Sequence, residues 1–251
     1  MPLDKVRIRF RKSGDLRLVS HLDLVRSFER MLRRAALPFR MTQGFHPTPR
    51  LVLAQSLPLG VIGHREVLEL ELNEAIEPDD VLRRLREQAP PGIEFLSAER
   101  IPLKTTARPR RALYRISLAD APADLAARCA GLLASSEVWV ERERPRPRQV
   151  NIRPYLDSLM LSPGDLHVGV WITQDGSARA DEVAGAIGLS EHAVIERLDL
   201  ELWDEVPPDE AACTPEIEPQ SRPLNRVLSA EPVPAAPRET WGATANGPVV
   251  E

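Results

Sequence analysis

The sequence predicts an α+β protein of two tandem βαββαβ units, residues 1–105 and 106–206, followed by a disordered acidic, proline-rich tail over 207–251. Three observations lead there. Apolar residues alternate in short runs, such as Val6, Ile8 and Phe10 or Leu68, Leu70 and Leu72, which is the period of strands with one wet face. Between such runs, Leu22, Val25, Phe28, Leu32 and Ala35 step along a helix face. From Pro207 onward proline, alanine and acid dominate, and large apolar groups are few.

Residues 5–11 read as a strand whose second face carries Arg7, Arg9 and Arg11 as an exposed basic stripe. A turn at Ser13-Gly14-Asp15 follows. Ser20 with Asp23 three residues later fits a capping box, and the helix it opens runs to about Leu37, where Pro38 stops it. Residues 39–42 read as a short strand, 43–50 as a loop too rich in Gly and Pro to be regular, and 51–59 as an apolar strand. A strand over 68–72, a helix opened by Pro78 and a strand over 93–98 complete the split βαβ, ferredoxin-like order. Residues 104–111 read as a linker. The second half repeats the order less clearly, with strands near 112–118, 138–141, 166–173 and 198–202, a strand and a turn within 150–161, and helices after Pro122 and over 181–187. A basic, proline-broken connection spans 142–148.

A chain of 251 residues holds one large or two ordinary domains. No apolar run approaches the roughly 20 residues that cross a bilayer, and the first residues lack the apolar centre of a signal peptide. The expected location is cytoplasmic, without membrane contact. Cys129 and Cys213 are too few for a disulfide framework, a four-thiolate metal site or a radical-type iron–sulfur cluster. No glycine-rich phosphate loop occurs, so nucleotide hydrolysis is not expected, and no third His, Cys or carboxylate recurs at ligand spacing, so no metal is expected either; no cofactor is expected.

The formal charge of −4 hides an asymmetry: residues 1–50 carry twelve Lys and Arg against four acids, and residues 204–251 carry three against nine. Arg7, Arg9, Arg11, Arg26, Arg30, Arg33, Arg34 and Arg50, with Arg142, Arg144, Arg146 and Arg148, are expected to converge on one exposed surface. There they would contact RNA phosphates, each neutralised phosphate adding a salt-dependent increment to affinity. Phe45, Tyr155 and Trp171 are the candidates for base stacking, although such residues are more often core. His21, at the first turn of the helix, and His46, in the Gly/Pro loop, could serve as general acid or base in RNA cleavage. The plainer alternative is that one orients the helix start and the other shapes the loop.

The Ser20-His21-Leu22-Asp23 and Gln43-Gly44-Phe45 blocks, with Asn151-Ile152-Arg153-Pro154-Tyr155, carry a resemblance. Over roughly residues 4–203 the chain resembles the uncharacterised bacterial family of radical-SAM-linked proteins, which occur fused to or encoded beside a cobalamin-binding radical SAM protein. The resemblance implies a cobalamin-binding radical SAM partner and marks Ser20, His21, Asp23, Gln43, Gly44, Phe45, Arg153, Pro154 and Tyr155 as family positions. The resulting expectation is a non-catalytic RNA- or ribonucleoprotein-binding accessory module for such an enzyme. The alternative is a metal-independent RNA-processing endonuclease of the tandem ferredoxin-like type, using His21 or His46.

Overall fold

The computed structural model describes residues 3–119 and 121–223. The first half runs β1 (Asp4–Lys12), α1 (His21–Arg34), β2 (Leu51–Leu53), β3 (Ile62–Leu72), α2 (Pro78–Gln88) and β4 (Ile93–Arg100). The second runs β5 (Pro109–Ser117), α3 (Leu125–Ala134), β6 (Trp139–Arg142), β7 (Arg148–Asn151), β8 (Leu156–Ser162), β9 (Asp165–Trp171), α4 (Ala180–Ala186) and β10 (Ile195–Leu202). α5 (Pro208–Ala212) and β11 (Ser221–Pro223) follow. The protein is mixed α/β: eight strands form one sheet in the order β4-β1-β3-β10-β5-β9-β8, with β2 also on β3, and β11-β7-β6 form a small second sheet. Within the large sheet neighbours are antiparallel except β10 and β3, which pair in parallel at Glu196–Ile62 and Arg197–Gly63.

The alternation in β1 and β3 puts Val6, Ile8, Phe10, Leu68, Leu70 and Leu72 on one face, where α1 and α2 cover them with Leu24, Phe28, Leu32, Val81 and Leu85. Phe10, Phe28 and Phe95 pack ring against ring with centroids 5.0 to 6.5 Å apart. A second core gathers Ala112, Ile116, Val168, Val170 and Leu200 under α3 and α4, and Val67 of β3 belongs to it. The two halves therefore share a sheet and part of a core.

The other face of β1 is not the exposed basic stripe that its alternation predicts. Lys5, Arg7 and Arg9 keep only 5%, 3% and 7% of their surface. Arg7 stands opposite Glu69 in the β1–β3 register, with Nη2 2.9 Å from Glu69 Oε1 and 2.8 Å from Asp204 Oδ2. Lys5 Nζ lies 2.7 Å from Glu69 Oε2, while Arg9 reaches Glu205 and donates to the Leu200 carbonyl at 2.8 Å. Burial by itself lowers the Arg7 guanidinium, but hydrogen bonds to Asp204 and Glu69 hold it above its ordinary value. The anions these cations meet are the protein's own: Glu69 from the neighbouring β3, and Asp204 and Glu205 from the end of the second half. A period-2 pattern reveals two faces of a strand; it does not reveal what covers the second.

The same seam holds Arg197 of β10 and Glu66 of β3, at 1% and 4% side-chain exposure, with Arg197 Nε donating to Glu66 Oε1 at 2.8 Å. Burial opposes the charge on Arg197, and Glu66 outweighs it, raising the guanidinium further. Arg197 also donates to the carbonyls of Ser56 and Gln55 at 3.3 and 3.4 Å. Those carbonyls point to the guanidinium instead of a ladder, so the strand expected over 51–59 shrinks to Leu51–Leu53. The strand expected over 39–42 is likewise reduced to two isolated bridges, Phe39–Leu72 and Met41–Pro49. A Cβ added to Gly63 would lie 2.6 Å from the Glu66 carboxylate, which Arg197 holds in place. Gly63→Ala is expected to cost about 1–3 kcal/mol of stability, read as a shift in the urea midpoint.

On the same strand pair, Glu196 Oε2 lies 2.7 Å from His64 Nε2 and 2.6 Å from Arg115 Nη2. Burial raises the Glu196 carboxyl, but hydrogen bonds from His64 and Arg115 outweigh it and hold the group below its usual 4.5. A carboxyl depressed in the folded state stabilises fully above its unfolded value, and that contribution is lost as pH falls through the folded value. Melting temperatures from about pH 7 to pH 3 are expected to fall less steeply in Glu196→Gln than in the unaltered chain.

The tail also differs from the disorder expected over 207–251. Residues 208–212 form α5 and 221–223 pair with β7 in register Ser221–Val150 to Pro223–Arg148. Buried Arg110 organises this segment by donating to Thr214 Oγ1 at 2.6 Å and to the Glu210 carbonyl at 2.9 Å, while Asn151 Nδ2 donates to Gln220 Oε1 at 2.7 Å. Backbone pairing and one guanidinium need no large apolar side chain, so composition alone misses them. The rest of the expected tail, 224–251, lies outside the described residues.

Candidate functional site

Helix α1 opens as its sequence predicts. The Asp23 N–H donates to Ser20 Oγ at 3.3 Å, and the Ser20 hydroxyl donates to Asp23 Oδ2 at 2.7 Å, which with Arg26 holds that exposed carboxyl below its usual range. At about 100° per residue, Arg26, Arg30 and Arg33 fall within one narrow stripe, opposite the buried Leu24, Phe28, Met31 and Leu32. All three arginines are exposed. Arg26 makes a 3.2 Å pair with Asp23 at high exposure, Arg30 donates to Ser27 Oγ at 3.0 Å, and Arg33 lies 5.6 Å above the Phe39 ring. Such exposed contacts hold a side chain weakly. Arg34 sits beside the stripe, its guanidinium 3.5 Å from the Gln88 carbonyl.

Phe39 leads into the loop that the sequence marks with Gln43, Gly44 and Phe45. Thr42 N–H donates to the Thr48 carbonyl at 2.7 Å and Thr48 N–H to Thr42 Oγ1 at 3.0 Å, closing a tight turn. Gly44 adopts φ 141°, a backbone that side chains rarely take. Phe45 next to it is fully exposed at 103%, and His46 is exposed too. Arg40 and Arg50 flank the base of the loop and share Glu71, at 3.0 and 3.4 Å. The α1 stripe is thus joined to the loop segment by the Arg33–Phe39 contact, while Arg40 and Arg50 follow Glu71 to the sheet face opposite α1, away from the buried Leu70 and Leu72.

The remaining predicted positions divide differently. Arg7 and Arg9 are internal, on the sheet face opposite α1, and Arg11 is half-buried with an unpaired Nε. Arg142 is claimed by Glu182 at 2.6 Å, whose hydrogen bond raises the guanidinium despite burial. Arg144 and Arg146 are exposed where residues 143–147 join β6 to β7, with Arg148 at the start of β7. Among the described residues no hydrogen bond or ion pair links this hairpin to α1. The expected convergence of all twelve arginines on one surface therefore does not occur, because three elements aim them at different neighbours.

Arg153, Pro154 and Tyr155 form a structural knot: Arg153 donates to the Leu133 carbonyl at 2.7 Å, Asn151 Oδ1 accepts from Val138 N–H at 2.9 Å, and Tyr155 is buried. Burial pushes the Tyr155 hydroxyl and the Cys129 thiol up. His21 Nδ1 lies 3.5 Å from Ser56 Oγ, and no hydrogen bond joins it to His46 among the described residues. Among those residues no group of His, Cys, Asp or Glu is placed to hold a metal, and no helix is long and apolar enough to cross a membrane.

A solved structure, that of an unknown protein from Galdieria sulphuraria, aligns with 80% of this chain and 99% of its own at 12% identity, with a TM-score of 0.25, too low to carry an argument. No curated protein matches the chain. A bacterial family model does, over residues 5–180, a span that takes in α1, the Phe45 loop and the β3–β5 part of the sheet. The chain belongs to the family described as "Uncharacterized protein conserved in bacteria (DUF2344)".

Proposed function

We propose that the chain is a non-catalytic RNA-binding accessory module whose contact face is the α1 stripe and the Phe45 loop. One observation carries it: Arg26, Arg30 and Arg33 line up on the exposed side of one helix, and the loop that follows it presents a fully exposed phenylalanine. Guanidinium groups at this spacing suit phosphates, and a bare ring suits an unstacked base. The strand order β4-β1-β3-β2, antiparallel throughout, and the matching order β10-β5-β9-β8 support two ferredoxin-like units, the second with the β6–β7 hairpin inserted. The resemblance carried by Ser20, His21, Asp23, Gln43, Gly44 and Phe45 is what supports a cobalamin-binding radical SAM protein as the partner.

Neither His21, whose Nδ1 lies 3.5 Å from Ser56 Oγ, nor exposed His46 is hydrogen-bonded to a carboxylate among the described residues, so the binding role is preferred to an endonuclease that would use one of them. The protein incubated with labelled single-stranded RNA in EDTA is expected to retain the RNA intact. Cleavage that disappears in His21→Ala or His46→Ala would contradict the accessory role and support the endonuclease.

A further inference from the structure

Three adjoining recesses form a groove along the seam between the halves. The middle one, about 550 Å³, is lined by Trp171, Trp203, Ile172, Ile217 and Arg108. It shares Arg108 and Trp203 with a recess of about 420 Å³ that adds Lys104, Thr105 and Thr106. At its other end it shares Gln55, Thr173 and Gln174 with a recess of about 610 Å³ that reaches Arg179, Asp175 and Asp181. The Arg110 guanidinium lies over both indoles, 5.0 Å from the Trp171 centroid and 5.9 Å from that of Trp203. Arg110 is itself held by Glu201, Thr214 and the Glu210 backbone, so both rings are fixed before any ligand arrives.

Charge differs between the two ends: the Trp203 end carries Lys104 and Arg108, and the far recess mixes Arg142, Arg179 and Arg197 with Asp175 and Asp181. Lys104 and Arg108 are exposed, and neither forms an ion pair among the described residues, whereas Asp204 beside them is taken by Arg7. Glu216 stands in the middle recess and Asp175 and Asp181 in the far one, where they can accept from amino groups and hydroxyls. Exposed cations next to rigid aromatic rings, with carboxylates among the groups beyond them, match a nucleotide's phosphate, base and donor groups. Fixed rings with adjoining positive charge are how proteins grip unpaired strands, since a duplex hides its base faces.

We propose that this groove holds single-stranded RNA, its bases stacked on Trp203 and Trp171 and its phosphates on Lys104 and Arg108. It rests on the chain being an RNA binder, and it adds a preference for unpaired strands that the α1 stripe cannot supply, because phosphates occur in duplexes too. The test compares a labelled single-stranded RNA of mixed sequence with the same strand in a duplex, by anisotropy on the full chain. Trp203→Leu and Trp171→Leu are each expected to lower single-strand affinity about 5- to 160-fold and to leave duplex affinity unchanged, given about 1–3 kcal/mol per stacked base. Arg108→Ala, an exposed change that leaves the core alone, is expected to lower the single-strand salt slope by about 0.7. Unchanged single-strand affinity in these variants, or single-strand and duplex affinities that fall together, would overturn the groove while leaving RNA binding intact. If the unaltered chain binds neither RNA, RNA binding itself fails and the groove falls with it.

Discussion

Replacing Arg26, Arg30 and Arg33 together by alanine is expected to weaken single-stranded RNA binding about 100-fold at 0.1 M salt. Each phosphate neutralised on a single strand contributes about 0.7 to the slope of log affinity against log salt, so three lost contacts flatten it by about 2. Relative to 1 M salt that difference amounts to about two decades at 0.1 M. The fold should not notice, because all three side chains are exposed and the Asp23 pair that Arg26 loses is of the kind worth under about 1 kcal/mol. Arg83 on α2 is the control: it is equally cationic but tied to Asp80 at 2.5 Å and Glu87 at 2.8 Å, and Arg83→Ala should leave RNA affinity where it was. Equal losses in both variants would mean that net charge, not the stripe, drives binding.

The second large effect concerns stability. Arg197→Ala leaves Glu66 charged and buried without its partner, which typically costs about 3–5 kcal/mol, or two to three decades in the folding equilibrium. Removing both charges with Arg197→Leu and Glu66→Leu should recover most of that loss, since the desolvation cost of both ions disappears together. Urea unfolding of the single and double variants separates the two outcomes. A loss below about 1 kcal/mol in the single variant would show that water reaches this pair and that the seam is looser than its burial implies.

Much of the local structure was legible. Ser20 and Asp23 capped α1 and the alternation in β1 and β3 found the core face, but α1 ends at Arg34 instead of near Leu37, with Ala36 turning at φ 49°, and it buries Leu24 and Met31 while Leu22 stays exposed. What stayed hidden was long-range. Nothing near Arg7 or Arg9 in sequence announces Glu69, Asp204 and Glu205, which lie some sixty and two hundred residues away. Arg197 hid in the same manner, and its claim on the Gln55 and Ser56 carbonyls is why a strand became a loop. In the candidate site, the α1 stripe could be read from spacing and Phe45 from its Gly/Pro surroundings. The groove could not, because Trp203, Arg108 and Lys104 are ordinary residues until β5, β9 and the turn after β10 bring them to Trp171.

The most direct check is a salt titration of the unaltered protein with a labelled single-stranded RNA, starting at about 20 mM salt. A linear fall of log affinity with log salt, at a slope of about −2 or steeper, is the expected result for a strip of three or more phosphate-binding arginines. Absence of binding at the lowest salt, or an affinity that salt leaves unchanged, would contradict it.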